Sequence, residues 1–163
     1  MIYNYILSLG SNIEPRLTYL TQACELLLSI GHIRHKSSIY ETEAWGHKDQ
    51  AHYYNALIEF EAPLRPQILL QELKNIENKI GRSPSFHWGP REIDIDIIFC
   101  QDCTINEPNL QIPHPEFAQR RFILEPMLEI NENYVITNTN KKIVDFLNNC
   151  QDPSDIQKLT INW

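Results

Sequence analysis

The alternation of helix-like and strand-like segments constrains the fold of this chain more than any other feature. Residues 15–31 and 66–81 each open at a proline, close at a glycine and carry leucine or isoleucine on one helical face. The strand-like segments around them are residues 3–9, 32–42, 53–62 and 93–100. The order β-α-β-β-α-β predicts an α+β fold with a ferredoxin-like core, in which an antiparallel sheet has both helices packed on one face.

The last third of the chain, after Thr104, is predicted to be a C-terminal extension of short pieces, because prolines interrupt it. These prolines are Pro108, Pro113, Pro115 and Pro126. Within the extension, residues 143–148 favour a short helix and residues 156–161 a final strand. Because the sequence contains no repeat, low-complexity tract or linker, we expect a single domain over residues 1–163.

The charge balance argues against two classes of partner. The chain has 14 lysines and arginines against 21 aspartates and glutamates, a formal net charge of −7. Binding to nucleic acid requires a basic face, and anionic lipid repels an acidic protein. We therefore expect neither nucleic acid nor a membrane as a partner, although a local basic pocket is compatible with this total.

The cellular location is predicted from segments that the sequence lacks. No apolar run approaches the ~18–20 residues of a spanning helix, and residues 1–12 lack the basic region of a secretion signal. The cysteines are Cys24, Cys100, Cys103 and Cys150. They show no zinc-site spacing beyond one C-x-x-C and are expected to be free thiols in a reducing compartment, so we expect a cytoplasmic protein.

The segment IDIDII at residues 93–98 is the sharpest local motif. Alternate side chains of a strand share a face, so Asp94 and Asp96 are expected together, with the isoleucines at 93, 95 and 97 on the other face. Two carboxylates ~6–7 Å apart on one strand repel each other unless a cation lies between them, and oxygen ligands suit Mg²⁺. The alternative is that the aspartates only keep a solvated strand soluble.

Arginine is the only cationic residue type from residue 80 to residue 140, where Arg82, Arg91, Arg120 and Arg121 occur without a lysine. Arginine is preferred where phosphate is bound by two parallel hydrogen bonds, so this segment favours a polyphosphate site; surface ion pairs are the alternative. His114, held between two prolines, could donate to a phosphate oxygen or could be a structural histidine in a turn.

A second subsite is indicated by ring and amide side chains near two long polar loops. The loops, residues 43–52 and 81–92, each contain a tryptophan, Trp45 or Trp88, and are predicted to cover a flat ligand. The side chains are Thr42, Tyr53, Asn55 and Phe122. Aromatic rings and an amide suit a planar heterocycle, although Tyr53 and Phe122 could equally be core residues.

Taken in order, these motifs resemble those of the 6-hydroxymethyl-7,8-dihydropterin pyrophosphokinase family. The matching stretches are LGSN at 9–12, SSIYET at 37–42, YYNALIEFE at 53–61, IENKIGR at 76–82, HWGPREIDIDI at 87–97, IPHP at 112–115 and RRF at 120–122. The resemblance implies transfer of pyrophosphate from ATP to the pterin alcohol, which gives AMP and the pterin diphosphate in folate biosynthesis. A monomer is expected, with these two small molecules as its partners.

The resemblance also implies roles for individual residues. Asp94 and Asp96 would bind two Mg²⁺ ions, and Arg82 and Arg91 would neutralise the triphosphate during catalysis. The further ATP-binding positions would be Glu77, Trp88, Ile97, His114 and Arg120. The pterin-binding positions would be Thr42, Trp45, Tyr53, Asn55, Trp88 and Phe122.

Some positions depart from the family pattern, and two other functions stay open. The stretch SPSFH after Arg82 and Asn109 lack basic residues that are common in the family, His87 stands in place of a common arginine, and Glu43 replaces a usual proline. These changes put ATP affinity and loop stiffness in question. The alternatives are another Mg²⁺-dependent nucleotidyl or phosphoryl transferase and a non-catalytic nucleotide- or pterin-binding module.

Overall fold

The first two thirds of the chain form the predicted order of strands and helices. The computed structural model describes residues 1–44, 49–83 and 89–163. The elements are β1 (Tyr3–Ser11), α1 (Arg16–Leu27), β2 (His32–Lys36), β3 (Tyr40–Thr42), β4 (Tyr53–Ala62), α2 (Pro66–Ile80) and β5 (Asp94–Cys100). Gly81 ends α2 in the left-handed conformation, with φ 106°, which favours glycine. The strand predicted over residues 32–42 is divided into β2 and β3.

The division between β2 and β3 is explained by Ser37. Its backbone amide donates to the carbonyl of Leu57 at 2.9 Å, and its hydroxyl accepts the Leu57 amide at 2.9 Å. The serine side chain thus replaces one backbone partner of β4, so the chain follows β4 along both strands without forming one continuous ladder.

The sheet is antiparallel and has the strand arrangement of a ferredoxin-like core. Its order is β5-β1-β4-β3-β8, where β8 is Ile156–Lys158, and β2 pairs with the far end of β4. β1 lies between β4 and β5, with Gly10 opposite Asn55 of β4 on one side and opposite Asp94 of β5 on the other. β5 is therefore an edge strand within the described part of the chain, and its Asp94 and Asp96 lie opposite Gly10 and Ser8 of β1.

Helices cover both faces of the sheet: α1 and α2 lie together on one face, as predicted, and the C-terminal extension adds two helices on the other. On one face, α1 and α2 bury a cluster that includes Leu20, Leu73 and Leu9. On the other face, α3 (Arg121–Asn131) and α4 (Ile143–Asn149) bury a second cluster that includes Ile123 and Leu57. Burial of each large apolar side chain contributes ~1.5–3 kcal/mol, so both layers hold the sheet in place.

The C-terminal extension contains more regular structure than predicted. Pro126 was expected to break the chain, yet it lies buried inside α3. An internal proline costs a helix about 3 kcal/mol, and burial of Ile123, Leu124 and Met127 on the same helix offsets that cost. The predicted helix at 143–148 is confirmed as α4, whereas the final strand, expected over 156–161, is shorter.

Two further strands, β6 (Ile105–Glu107) and β7 (Leu110–Ile112), form a separate hairpin that the sequence did not predict. No helix in the described ranges is both long enough and apolar enough to cross a membrane.

Candidate active site

The two aspartates of β5 lie on the face of the sheet that the sequence predicted. Ile93, Ile95 and Ile97 are buried in the cluster beneath α1 and α2, so Asp94 and Asp96 point to the opposite face. The pairing of β1 with β5 shifts register between Ile6 and Leu7, which leaves Ile98 as an extra residue in β5. This bulge lets Ile98 and the next residue, Phe99, join the same cluster under α3, and it ends the acidic stretch of the strand.

Gly10 forms the floor between the aspartates and the amide subsite. A Cβ atom placed on Gly10 would lie 2.9 Å from Oδ1 of Asn55 and 3.5 Å from Cδ1 of Tyr53. A glycine is therefore required for the close approach of these side chains. Asn55 is 5% exposed, and its Nδ2 donates to the Thr42 hydroxyl at 2.8 Å, which fixes the orientation of the amide.

Each carboxylate oxygen of Asp94 forms an ion pair with one arginine. Nη2 of Arg82 lies 3.1 Å from Oδ1, and Nη1 of Arg91 lies 2.7 Å from Oδ2. Arg82 comes from the end of α2 and Arg91 from the segment just before β5. The three side chains are each about one-fifth exposed, so the ion pairs are screened from bulk water on most sides.

Glu77 anchors this group from inside the core. It is 1% exposed, and its Oε1 accepts the backbone amide of Ile95 at 2.8 Å and the ammonium of Lys74 at 2.9 Å. Its Oε2 accepts a hydrogen bond from the guanidinium group of Arg82. A buried carboxylate is costly unless it is fully paired, and here the pairing ties α2 to β5. Glu77 and Ile97, both predicted in the nucleotide site, are thus core residues that do not line the cavity described below.

The electrostatic environment of Asp96 fits a cation. Burial raises the pKa of its carboxyl group, and the neighbouring charge of Asp94 raises it further. A cation between the two carboxylates would relieve both effects. Within the described ranges, no three His, Cys, Asp or Glu side chains gather as a complete metal cage. Two aspartates that leave the other positions to water or phosphate oxygens are the donor set that Mg²⁺ prefers.

His114 approaches the aspartates from the chain that follows the hairpin. Its backbone amide donates to the carbonyl of Ile98, the bulge residue, at 2.9 Å, and its Nδ1 accepts the Glu116 amide at 3.2 Å. Burial, and to a smaller extent the positive charge of Arg120, lowers the pKa of His114 to about 4. The imidazole is therefore neutral at pH 7, and with Nδ1 accepting, Nε2 carries the proton and can donate.

Two more predicted residues lie beside His114. Arg120 forms an ion pair with Glu116, and its guanidinium carbon lies 5.6 Å from the centre of the Phe122 ring. Phe122 is only half-buried, so it is available at the surface of the cavity. Arg121, by contrast, pairs with Glu125 on α3 and donates its backbone amide to Asp152, which is a structural role.

One cavity of about 400 Å³ brings most of the predicted site together. Ten predicted residues line it: Thr42, Tyr53, Asn55, Arg82, Arg91, Asp94, Asp96, His114, Arg120 and Phe122. The charged side chains line one part of the cavity wall, and Asn55, Thr42 and Tyr53 line another part. Tyr53, whose pKa is raised by burial, donates to the carbonyl of Gly89 at 3.3 Å. Trp45 and Trp88 lie outside the described residues.

Lys74 and Asn12 are among the residues in or near this cavity that sequence reasoning missed. Lys74 lines it from α2, and the i,i+3 spacing to Glu77 is the one sequence signal for it. Asn12, which is 4% exposed, donates to Gln50 and Ala51 and accepts the amide of Arg91. It belongs to the LGSN stretch, but nothing in the sequence alone indicates a partner 79 residues away.

Comparison with known proteins shows which family this chain resembles. A family model described as 7,8-dihydro-6-hydroxymethylpterin-pyrophosphokinase (HPPK) matches residues 6–132. A 2-amino-4-hydroxy-6-hydroxymethyldihydropteridine pyrophosphokinase of Aquifex aeolicus is 39% identical over 140 residues, 86% of this chain and 88% of that protein. A protein of the same name from Bacillus subtilis is 41% identical over 126 residues, 76% of this chain and 75% of that protein.

The fold is also found in solved structures. A Plasmodium falciparum HPPK-DHPS crystal structure with pterin and p-hydroxybenzoate matches 91% of this chain with a TM-score of 0.72 and 17% sequence identity. This chain spans 42% of that chain's length. At this identity the likeness concerns the fold alone, and it supports the α+β assignment.

Proposed function

The chain belongs to the 7,8-dihydro-6-hydroxymethylpterin-pyrophosphokinase family, and from this premise we propose that its cavity transfers the pyrophosphoryl group of ATP to 6-hydroxymethyl-7,8-dihydropterin. The products are AMP and the pterin diphosphate, in folate biosynthesis. One observation carries the assignment to this cavity. Asp94, Asp96 and their arginines line the same 400 Å³ space as the Asn55–Thr42 pair, so a phosphate-type subsite and a heterocycle-type subsite adjoin.

The reaction is an in-line displacement. The pterin hydroxyl oxygen forms a bond to the β-phosphorus and loses its proton, while the bond from that phosphorus to the α,β-bridging oxygen breaks. AMP leaves with the bridging oxygen. Because phosphoryl transfer relies on positioning and on neutralisation of phosphate charge, the residues of the cavity need to hold both substrates and supply positive charge.

We propose that Arg82, Arg91 and Arg120 bind the phosphates of ATP. All three line the cavity and are paired with carboxylates there, so their guanidinium groups are already held near the position of the phosphates. The neutral His114 can donate from Nε2 to a phosphate oxygen without a further change of charge.

Asn55 and Thr42 are proposed to orient the pterin ring. The Asn55 amide keeps one Nδ2 hydrogen and its Oδ1 for a ligand after its bond to Thr42, which suits a heterocycle with donor and acceptor edges. From the sequence, Tyr53 and Phe122 could be either core residues or ligand-binding residues. Both are half-buried residues of the cavity wall, where their rings can contact the faces of the pterin ring.

We further propose that Asp94 and Asp96 hold Mg²⁺, as two ions, with ATP. Their carboxylates share one face of β5, and the pKa of Asp96 is raised by burial and then by the charge of Asp94, both of which disfavour a carboxylate that a cation would stabilise. The metal supplies charge neutralisation for the phosphates when bound. The single domain, the monomeric state and the cytoplasmic location stay predictions; the sharing of one sheet by both hydrophobic clusters supports the single domain.

The test is product identification. The protein is incubated with ATP, Mg²⁺ and 6-hydroxymethyl-7,8-dihydropterin, and nucleotides are separated by chromatography. AMP and pterin diphosphate are expected in equal amounts, with neither formed when the pterin is omitted. ADP as the nucleotide product would indicate a different phosphoryl transferase, and binding of both ligands without AMP would indicate a non-catalytic module. Omission of Mg²⁺, with chelator added, is expected to abolish AMP formation.

A further inference from the structure

Lys74 is a cavity cation to which the sequence assigned no role. It lies on α2 one turn before Glu77, and its side chain is 42% exposed. Its ammonium lies 2.9 Å from Oε1 of Glu77, and the residue lines the same cavity as Arg82 and Asp94. Lys74 therefore faces the proposed phosphate subsite from within α2, whereas Arg82 follows the end of that helix and Arg91 precedes β5.

Lys74 is one of three cationic side chains at this corner of the cavity. Glu77 and Asp94 supply two negative charges, and Lys74, Arg82 and Arg91 supply three positive charges within ion-pair distance of them. Glu77 is shared by two cations, and one of its oxygens also accepts the Ile95 amide. Asp96, on which the charge of Lys74 also acts, adds a third negative charge, so a cation held by the two aspartates would leave an excess of positive charge that an anion in the cavity would balance.

The ion pair with Glu77 does not by itself explain why a lysine occupies position 74. The carboxylate already has Arg82 and the Ile95 amide as partners, and a lysine ion pair exposed to this degree contributes between zero and about 1 kcal/mol to stability. An ammonium group has three N–H donors, and only one of them is used by Glu77. The remaining donors can reach a ligand in the cavity.

We propose that Lys74 is a phosphate-binding residue that contacts the triphosphate of ATP through its ammonium group. This inference rests on the proposed function, because it takes ATP as the nucleotide of this cavity. Glu77 fixes the direction of the lysine, and the flexible side chain of Lys74 follows the phosphates when they bind.

The test compares Lys74→Gln, Lys74→Arg and the matched control Lys79→Gln. Lys79 lies on the same helix, is exposed and does not line the cavity, so its replacement makes the same change in net charge. Dissociation constants are measured by calorimetry for Mg-ATP, inorganic tripolyphosphate, adenosine and the pterin. For Lys74→Gln we expect binding of ATP and of tripolyphosphate to weaken about tenfold, with adenosine and pterin within twofold of wild type.

Two further readouts separate phosphate binding from a structural effect. The difference between wild type and Lys74→Gln is expected to shrink as salt is raised, because a charge contact is screened, and Lys74→Arg is expected to restore ATP binding to within about threefold. Lys79→Gln is expected to behave as wild type throughout.

The inference is overturned if Lys74→Gln binds ATP within twofold of wild type, or if it weakens ATP and pterin equally, as a general disturbance of the cavity would. The wild-type protein decides the proposed function separately. If it forms AMP normally while Lys74→Gln binds ATP unchanged, only the role of Lys74 fails. If wild type neither binds ATP nor forms AMP, the proposed function fails and the role of Lys74 with it.

Discussion

Asn12 and Arg91 are joined by two hydrogen bonds that run in opposite directions. The Arg91 amide donates to Oδ1 of Asn12 at 2.8 Å, and the Asn12 amide donates to the Arg91 carbonyl at 3.1 Å. Nδ2 of Asn12 donates to the Ala51 carbonyl at 3.1 Å and to Oε1 of Gln50 at 3.2 Å. The side-chain amide of Asn12 thus joins the end of β1 to the segment before β4 and to the segment before β5. It also holds the backbone of Arg91, whose side chain contacts Asp94.

Replacement of Asn12 by alanine should therefore lower both stability and activity. It removes three side-chain hydrogen bonds and leaves a half-buried Arg91 amide without its acceptor, which costs about 1–3 kcal/mol in the free energy of unfolding. Because Arg91 loses its backbone support, we expect kcat to fall about tenfold or more. Denaturant unfolding and steady-state AMP formation measure the two effects.

Two variants serve as controls for Asn12. Asn4→Ala removes a side-chain bond to Gln101 at the opposite end of β1 and should leave kcat unchanged. Asn12→Asp keeps the acceptor for the Arg91 amide and loses the donor to Ala51, so its kcat should lie between those of wild type and Asn12→Ala. An Asn12→Ala protein with wild-type kcat would contradict the positioning role.

Replacement of Gly10 by alanine should weaken pterin binding selectively. The new methyl group would lie 2.9 Å from Oδ1 of Asn55, closer than a Cβ contact allows, so the Asn55 amide must move and its bond to Thr42 is disturbed. We expect the pterin dissociation constant to rise about tenfold or more, with ATP binding within about threefold of wild type. Fluorescence titration of each ligand measures this, and equal loss of both ligands would indicate a general collapse of the cavity.

The sequence predicted those parts of the fold that depend on local periodicity. Alternation along residues 93–98 placed Asp94 and Asp96 on one face correctly, because pairing within a sheet preserves a period of two. The bulge at Ile98 and the helical position of Pro126 were not predictable, since both depend on which cluster the residue joins in the folded protein. Local preference then yields to the free energy of burial.

In the candidate site, too, residues within local motifs were predictable, whereas contacts made only in the folded protein were not. Most of its members lie in short motifs that face the cavity from strands and their ends. The burial of Glu77 could not be read from the sequence, because its partners Ile95 and Arg82 come together only after α2 packs on β5. The contacts of Asn12 cannot be read from any spacing in the sequence, and the i,i+3 spacing of Lys74 to Glu77 also occurs on ordinary helix surfaces.

Asp94 and Asp96 should respond in opposite ways when their charge is removed. Asp96→Asn relieves a carboxylate whose pKa is raised by burial and by Asp94, so the ligand-free protein should be as stable as wild type at pH 7 or more stable by up to about 3 kcal/mol. Asp94→Asn weakens the ion pairs with Arg82 and Arg91 and should reduce stability. Both variants should lose AMP formation by at least about a hundredfold.

Thermal unfolding without Mg²⁺ and kinetics with Mg²⁺ separate these effects. Addition of Mg²⁺ with ATP is expected to raise the melting temperature of wild type and to have a smaller effect on either variant. Near-normal AMP formation by both variants would reject the assignment of a metal to this pair. A marked loss of stability in Asp96→Asn would show that its carboxylate is not under electrostatic stress.

His114 should make stability depend on pH in the acid range. Burial, followed by Arg120, lowers its pKa in the folded protein to about 4, whereas an unfolded histidine titrates near 6.5. Between these values the unfolded chain binds more protons, so the free energy of unfolding contributed by His114 is complete above about pH 6.5 and falls as the pH is lowered toward 4. The full loss is at most about 3 kcal/mol.

The His114→Asn variant isolates this contribution. Its Oδ1 can still accept the Glu116 amide, but it carries no titrating group, so its stability should fall less steeply than that of wild type between pH 6.5 and 4. Because Asp96 and all other groups are common to both proteins, the difference between the two unfolding curves reports His114 alone. His32→Asn, which replaces an exposed imidazole on β2, should keep the wild-type slope. Identical slopes for wild type and His114→Asn would mean that the imidazole is not held neutral by burial, and its proposed role as a neutral donor to phosphate would fail with that result.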